Sequence, residues 1–473
     1  MYFKQFFLGC LAHASYLIGA EGEACIVDPQ RDVDQYIEEA QAQGLKIKYI
    51  LETHLHADFV SGHCELAKRT GAEIVMSEMA EAAFDHKSVK DNDILHLGKS
   101  VTIKVIATPG HTVESVCYLV RDESDKASPA KLLTGDTLFI GDVGRPDLVS
   151  GHGMSSEDMA SMLYDSLHNK LLKLNDETEV YPAHGAGSLC GKSMSSERSS
   201  TIGIQKQFNY ALKAMPKNEF VSMMCTDLPE IPAYFKHAVK KNKHGASHLE
   251  DLNSPVAMSV EETKKAISEG YVVLDVRPAS IFGEGHIPQA INIGLGGQFA
   301  SWAGQVIPIE TPMIIVADDQ EAVQEAFVRL SRAGHDTATG YLEDGMYAWN
   351  KAGMEVAKIE QISVNELSEK LEKKEDLKVI DVRRIGEWNG GHVPSALNMP
   401  LSDLDKTVNT LDKKQNYAVI CAGGYRSSIA TTILRRNGVN NVINITGGTG
   451  AWVKSGLPTE KSESSSTSAA CVG

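Results

Sequence analysis

The chain has 473 residues, enough for about three domains of ordinary size. Its hydrophobic fraction of 42% and charged fraction of 23% are those of a packed globular chain, which excludes a largely disordered one. Forty-six Lys and Arg against 62 Asp and Glu leave a formal charge of −16, so nucleic acid and anionic membranes, which need a basic surface, are excluded as main partners. Eight cysteines scattered from position 10 to 471 form no disulfide framework and point to a reducing, cytoplasmic setting with thiols available for chemistry.

Residues 6–12 are apolar and follow Lys4, but the run is short and His13 interrupts it. With Leu17-Ile18-Gly19 and Ala24-Cys25-Ile26-Val27-Asp28 it reads as a β-hairpin opening a sheet, not a signal peptide. No segment reaches the roughly 18 apolar residues of a membrane span. Residues 47–51 read as a strand and 64–69 as a helix, the start of an α/β block running to about residue 250. Residues 204–243 are helix-like with Pro interruptions, and 245–255 form a polar, turn-rich linker.

A repeat follows. Val272-Val273-Leu274-Asp275-Val276-Arg277 recurs as Lys378-Val379-Ile380-Asp381-Val382-Arg383, and Gly285-His286-Ile287-Pro288 recurs as Gly391-His392-Val393-Pro394, both at an offset of 106. Ala348-Trp349 and Ala451-Trp452 close the two units. A period near 100 is too long for a solenoid and indicates a duplicated α/β domain, expected over residues 256–356 and 360–460. Residues 461–473 are a Ser-rich tail, expected to be disordered.

Within the first block, Thr53-His54-Leu55-His56-Ala57-Asp58 begins just after a strand. Further imidazole and carboxylate groups stand at Pro109-Gly110-His111, Gly135-Asp136 and Ala183-His184-Gly185, each preceded by an apolar run that would deliver it to a strand end. Such ligands suit Zn, Fe(II) or Mn equally, so they name a metal site without naming the metal. The order resembles the metallo-β-lactamase superfamily, an αββα sandwich with its metal site at one edge of the sheets. That family's usual motif is His-x-His-x-Asp-His, but here Phe59 stands in the last position. The change removes a ligand of the second metal and leaves Asp58 and His184 as a poor second site.

Gly144-Arg145-Pro146-Asp147 is similar to the Gly-Arg-x-Asp element of the persulfide dioxygenases within that superfamily. The resemblance implies one Fe(II) per chain held by His54, His111 and Asp136, the two-His-one-carboxylate set of non-haem iron oxygen chemistry. His56, Asp58 and His184 would then orient ligands or bound water. Arg145 is a candidate for binding substrate or bracing the site, with a plain Arg145–Asp147 pair as the alternative. Cys190, in a Gly-rich loop two residues before Lys192, is a candidate thiol of lowered pKa that carries sulfur or substrate; a buried structural cysteine is the competing reading.

In the second repeat, a strand at 417–420 runs into Cys421-Ala422-Gly423-Gly424-Tyr425-Arg426 and then a helix. A cysteine on such a loop is surrounded by backbone N–H groups that stabilise a thiolate, and Arg426 adds a cation. With Trp452 and the Asp-Val-Arg and Gly-His-Val-Pro elements, the unit resembles a rhodanese, a sulfurtransferase with a Cys persulfide intermediate. The first repeat has no cysteine anywhere between 226 and 420: aligning Gly334 with Gly438 puts Ala317 opposite Cys421, followed by Asp318 and Asp319. It is expected to keep the rhodanese fold as a spacer or docking module without sulfur chemistry.

Together these resemblances identify the chain as similar to a persulfide dioxygenase fused to two rhodanese domains, α/β throughout, with parallel sheets in the repeats. They imply oxidation of a low-molecular-weight persulfide such as glutathione persulfide by O2 to sulfite. Sulfur transfer through Cys421 would link persulfide, sulfite and thiosulfate, in a homo-oligomer. The competing readings are a glyoxalase II-like thioester hydrolase with zinc fused to a sulfurtransferase, and a persulfide carrier or sensor that never turns over.

Overall fold

The computed structural model describes residues 1–148, 153–191, 194–226, 228 and 230–461. Lys192 and all but the first residue of the Ser-rich tail therefore lie outside the described residues. The chain divides into two compact units. One comprises Met1–Asn253 with Ala303–Ile309 and Val328–Asp336, and the other holds most of the two repeats.

The first unit is built on two six-stranded sheets. In the first, β1 (Tyr2–Leu8), β2 (His13–Ala20), β3 (Glu23–Val27), β4 (Lys46–Leu51), β5 (Glu73–Ser77) and β6 (Lys87–Val89) lie side by side in chain order. β1 to β3 form the expected antiparallel opening, and β3 to β6 are parallel. The second sheet holds β7 (Ile94–Leu97), β8 (Val101–Ala107), β9 (Val116–Asp122), β10 (Lys131–Gly135), β11 (Glu179–Pro182) and β12 (Ser200–Thr201), again in chain order.

Side-chain alternation sorts each strand's residues between two faces. Tyr16, Ile18, Val27, Leu51 and Val75 point inward to meet Ile103, Val105, Tyr118, Val120 and Leu133 of the facing sheet. The intervening Leu17, Ile26, Ile50 and Ile74 pack outward on Tyr36, Ala40 and Leu66 of the helices Asp34–Ala42 and His63–Thr70. On the other side Ile106, Cys117, Leu119 and Val180 meet Leu163 and Leu167 of the helix Ser156–Asn169, and Phe220 and Met224 of Lys217–Cys225. Both faces of both sheets are therefore apolar, which gives an αββα sandwich.

Each repeat in the second unit is a five-stranded parallel sheet. The first places β13 (Val256–Met258), β14 (Val272–Asp275), β15 (Ile291–Asn292), β16 (Met313–Val316) and β17 (Ala338–Leu342) in the order β13-β17-β16-β14-β15. The second places β18 (Glu360–Ile362), β19 (Leu377–Asp381), β20 (Leu397–Asn398), β21 (Asn416–Ile420) and β22 (Val442–Ile445) in the order β18-β22-β21-β19-β20. The two orders are the same, and Asp275 pairs with Val316 as Asp381 pairs with Ile420, so Ala317 and Cys421 occupy equivalent positions. No helix among the described residues is long and apolar enough to cross a membrane.

Candidate active sites

Four loops that leave β4, β8, β10 and β11 bring their polar residues together at one edge of the sandwich. His54, His111 and Asp136 are buried, and one ligand atom from each lies within 4.8 Å of the others. The hydrogen bonds around them fix which atoms face inward. Thr53 Oγ1 donates to Asp28 Oδ2 at 2.9 Å and so accepts from His54 Nδ1 at 2.9 Å, leaving the lone pair on His54 Nε2. His111 Nδ1 donates to the Arg145 carbonyl at 2.9 Å, which leaves the lone pair on its Nε2 as well.

Both Nε2 atoms lie near Asp136 Oδ2, at 3.8 Å for His54 and 3.5 Å for His111, and that buried oxygen has no hydrogen-bond partner. Two lone pairs and an anionic oxygen facing one another without a proton between them need a cation. Burial holds His54 and His111 below the ordinary imidazole pKa. Burial opposes the Asp136 carboxylate, but His184, His54 and His111 outweigh it and hold the group well below the carboxylate range. The donor set therefore fits one divalent metal.

The remaining groups arrange themselves around this trio. His184 bonds Asp136 Oδ1 through Nδ1 at 2.7 Å and lies 3.0 Å from Asp58 Oδ2 through Nε2. Burial opposes its charged form, but the two carboxylates overcome that and raise its pKa well above the ordinary value. His56 turns away to Asp28 at 3.2 Å and Glu52 at 3.5 Å. Phe59, fully buried, packs its ring at a tilt against His13 and His56, with centroids 4.2 and 4.5 Å away.

Arg145 makes two bonds to Asp147, of 3.0 and 2.7 Å, and a longer one to the Leu189 carbonyl, so its guanidinium braces the loop whose own carbonyl holds His111. Gly144 permits this approach: a Cβ there would stand 2.1 Å from the Asp136 carbonyl and 2.8 Å from His111 Nδ1. Cys190 is 1% exposed, beside Asp58 and His184. Burial first, and then the Asp58 and Asp136 charges, raise its pKa well above the ordinary thiol value, which favours the buried structural cysteine over the alternative of a thiol of lowered pKa. Burial decides the outcome and the negative neighbours reinforce it, and spacing along the chain reveals neither.

Sequence reasoning passed over several groups. Asp28 ends β3 in the left-handed region, φ 51°, and receives Thr53 N at 2.7 Å as well as the Thr53 hydroxyl. Asn242, on the helix Ala233–His244, accepts from Ser61 N and donates to the carbonyls of His56 and Phe59, each at 2.8 Å. Only Asp28 carried a visible signal, a lone carboxylate at the end of an apolar run.

The second repeat's cysteine lies between β21 and the helix Tyr425–Arg436 and is buried. Gly424, at φ 98°, donates its N–H to Cys421 Sγ at 3.1 Å, and Sγ lies 3.5 Å from Ser427 Oγ, which in turn donates to the Gly424 carbonyl. Tyr425 donates its hydroxyl to the Gly294 carbonyl at 2.8 Å. Arg426 bonds Glu387 through both terminal nitrogens at 2.7 Å, so the cation expected beside the cysteine is already paired.

Residues 8–184 match the metallo-beta-lactamase superfamily, and residues 259–352 and 363–455 each match the rhodanese-like domain. The mitochondrial persulfide dioxygenase ETHE1 of Bos taurus is 30% identical over 211 residues, which are 43% of this chain and 76% of that relative. The chain belongs to the metallo-beta-lactamase superfamily and carries two C-terminal rhodanese-like domains. A hydroxyacylglutathione hydrolase of Polaromonas sp. is 32% identical over 36% of this chain, and the chain spans only 61% of that relative's length. A crystal structure of a metallo-beta-lactamase from Staphylococcus aureus subsp. aureus COL superposes with a TM-score of 0.64 at 33% identity, covering 72% of this chain and 98% of that one. His54, His111 and Asp136, the group that could hold a metal ion, lie within the part of the chain that matches the metallo-beta-lactamase superfamily.

Proposed function

We propose that the first unit oxidises a low-molecular-weight persulfide with O2, and that Cys421 of the second repeat exchanges sulfane sulfur among persulfide, sulfite and thiosulfate. The observation that carries the first half is the unpartnered Asp136 Oδ2 facing the two lone-pair nitrogens of His54 and His111. Those three residues would hold one Fe(II), whose open positions supply activation of O2 and substrate. His184 and Asp58 keep the free Asp136 oxygen turned toward the imidazoles, and Arg145 fixes the carbonyl that sets the His111 tautomer. Overall, RSSH, O2 and water give RSH, sulfite and two protons.

In the second half, the Cys421 sulfur attacks the outer sulfur of a persulfide, the S–S bond breaks, and the thiol leaves with its electron pair. Sulfite then attacks the outer sulfur of the Cys421 persulfide, forming thiosulfate and regenerating the thiolate. Covalent catalysis splits the transfer into two displacements, and the Gly424 N–H meets the charge that each one moves.

The hydrolase reading requires a second metal. Asp58, His184 and Cys190 do lie within 4.8 Å of one another, but His184 is held between two carboxylates as a charged donor, and Phe59 replaces a ligand. Metal analysis with oxygen uptake separates the readings. One iron per chain, with O2 consumed on adding glutathione persulfide, is expected; two zinc and thioester cleavage without O2 uptake would overturn the proposal. A stable Cys421 persulfide with no turnover would instead favour the carrier.

A further inference from the structure

The two repeats provide an internal control, because one carries the fold without the cysteine. Several features recur in both. Arg277 clamps Asp275 and the Gly285 carbonyl as Arg383 clamps Asp381 and the Gly391 carbonyl, at matching distances. Asn292 and Asn398 each bond the two backbone carbonyls of their clamp. Phe282 stacks on His286 as Trp388 stacks on His392, and both tryptophans near the repeat ends donate to a carbonyl at 2.8 Å. These contacts belong to the fold, since the repeat without a cysteine keeps them all.

One pair does not recur. At the 106-residue offset that aligns the clamps and stacks, Glu387 stands opposite Ile281, which is 39% exposed. In the register that sets Cys421 opposite Ala317, Arg426 stands opposite Ala322. The ion pair is therefore present only beside the cysteine, and the fold is made without it.

Its geometry says what it does there. Glu387 engages Arg426 through one N–H on each terminal nitrogen, which leaves the guanidinium able to donate from its other N–H groups while the pair as a whole carries no net charge. The neighbouring Arg383 is likewise compensated, by Asp381. The two arginine–carboxylate pairs therefore add no net positive charge of their own to draw in a dianion.

We propose that Glu387 is a specificity-determining residue. By cancelling the Arg426 charge it biases the Cys421 loop toward donors whose transferred end carries at most one charge, the S–SH end of a low-molecular-weight persulfide, and against thiosulfate, whose two charges sit on the reacting group itself. The inference rests on the reading of Cys421 as the sulfur-accepting nucleophile.

The test compares thiosulfate and glutathione persulfide as sulfur donors in the full-length protein, with Glu387→Gln, Glu387→Asp and Cys421→Ser. Glu387→Gln removes the charge and keeps the side-chain shape. The expected result is a fall of about tenfold in KM for thiosulfate that exceeds any change in kcat, with the persulfide KM little altered. That lowered KM should rise again with added salt, and Glu387→Asp should keep the wild-type donor ratio. Equal effects on both donors, or no change in their ratio, would overturn the proposal and leave Glu387 as a structural brace. If Glu387→Gln does not fold, the salt dependence of the two KM values in Glu387→Asp and wild type still decides: a steep dependence for thiosulfate in the wild type contradicts a compensated loop. Failure of the Cys421 reading is seen separately, as sulfur transfer from either donor that survives Cys421→Ser.

Discussion

At the metal-type site each group is fixed through an atom other than the one that faces inward, whereas at the cysteine loop the sulfur itself takes the hydrogen bond. His54 and His111 are anchored by Nδ1, and Asp136 by Oδ1, so three inward atoms are left bare in a buried pocket. Cys421 Sγ accepts directly from the Gly424 N–H, and the charged pair beside it reaches solvent, with Glu387 side-chain exposure of 37%. The first arrangement suits a bound cation that replaces hydrogen bonds; the second suits a charge that arrives and leaves during each displacement. The difference teaches that facing unpaired donor atoms of a ligand set, and not a single unpaired atom, point to a bound cation, while a sulfur that already accepts an N–H is prepared for charge that comes and goes.

The sharpest way to break this division is to disable each site alone. Asp136→Asn should remove the metal and lower persulfide-dependent O2 uptake at least about a hundredfold, while Cys421-dependent exchange stays near wild type. Cys421→Ser should do the reverse, with exchange falling at least about a hundredfold and O2 uptake retained. Oxygen electrode traces and thiosulfate–sulfite exchange on the same preparations check both. If either substitution silenced both activities in folded protein, the two sites would not be chemically separate.

The next effect tests what holds the His54-to-Ser61 turn. Asn242→Ala removes three backbone partners at once and should destabilise the first unit by about 3 kcal/mol, read by urea unfolding. Arg332, in the segment that groups with this unit, adds a further tie: its carbonyl accepts from Val60 N at 2.7 Å, and its side chain pairs with Asp32. Weakened iron binding together with the loss of stability is the expected outcome. Loss of stability alone would mean that the turn holds its shape without the helical extension.

Much of this was legible in the sequence because strand periodicity and turn residues act locally. The hairpin at β1–β2, the ligand-bearing strand ends and the Gly-rich cysteine loop all follow from alternation and from Gly at positions of close approach. What stayed hidden depends on pairs far apart in the chain. Nothing in Gly-Gly-Tyr-Arg discloses that a glutamate 39 residues earlier meets Arg426. Nor does Gly-Lys-flanked Cys190 disclose that Asp58 and Asp136 face its sulfur. The direction of His56 was equally closed to spacing, since Asp28 and Glu52, past the ends of different strands, draw its Nε2 toward themselves and away from the group of His54, His111 and Asp136.

A smaller effect is expected from Thr53. Its hydroxyl is the link between Asp28 and His54 Nδ1, so Thr53→Val leaves the ring free to take the other tautomer, with its Nε2 protonated. Iron affinity should weaken by about tenfold, measured by competition with a chelator, and His54 would no longer behave as an anchored ligand. Unchanged affinity would show that the inward lone pair is set by the metal and not by the protein.

The smallest effect is on stability in acid, and it separates the part-buried pair from the buried trio. Burial opposes the Glu387 carboxylate, but Arg426 outweighs it and lowers the folded pKa below the ordinary value of 4.5. A carboxyl depressed on folding stabilises the folded state above its unfolded pKa, and that contribution is lost as pH falls through the lower folded value. Stability of the second unit should therefore drop between about pH 4.5 and the depressed value, with a slope set by one extra proton taken up on unfolding. Glu387→Gln should flatten that segment of the curve and leave stability near neutral pH only slightly lower, because a half-exposed pair is screened by water. An acid limb identical in wild type and variant would mean that Arg426 does not hold Glu387 ionised, and that the compensated charge beside Cys421 is not a property of the folded loop.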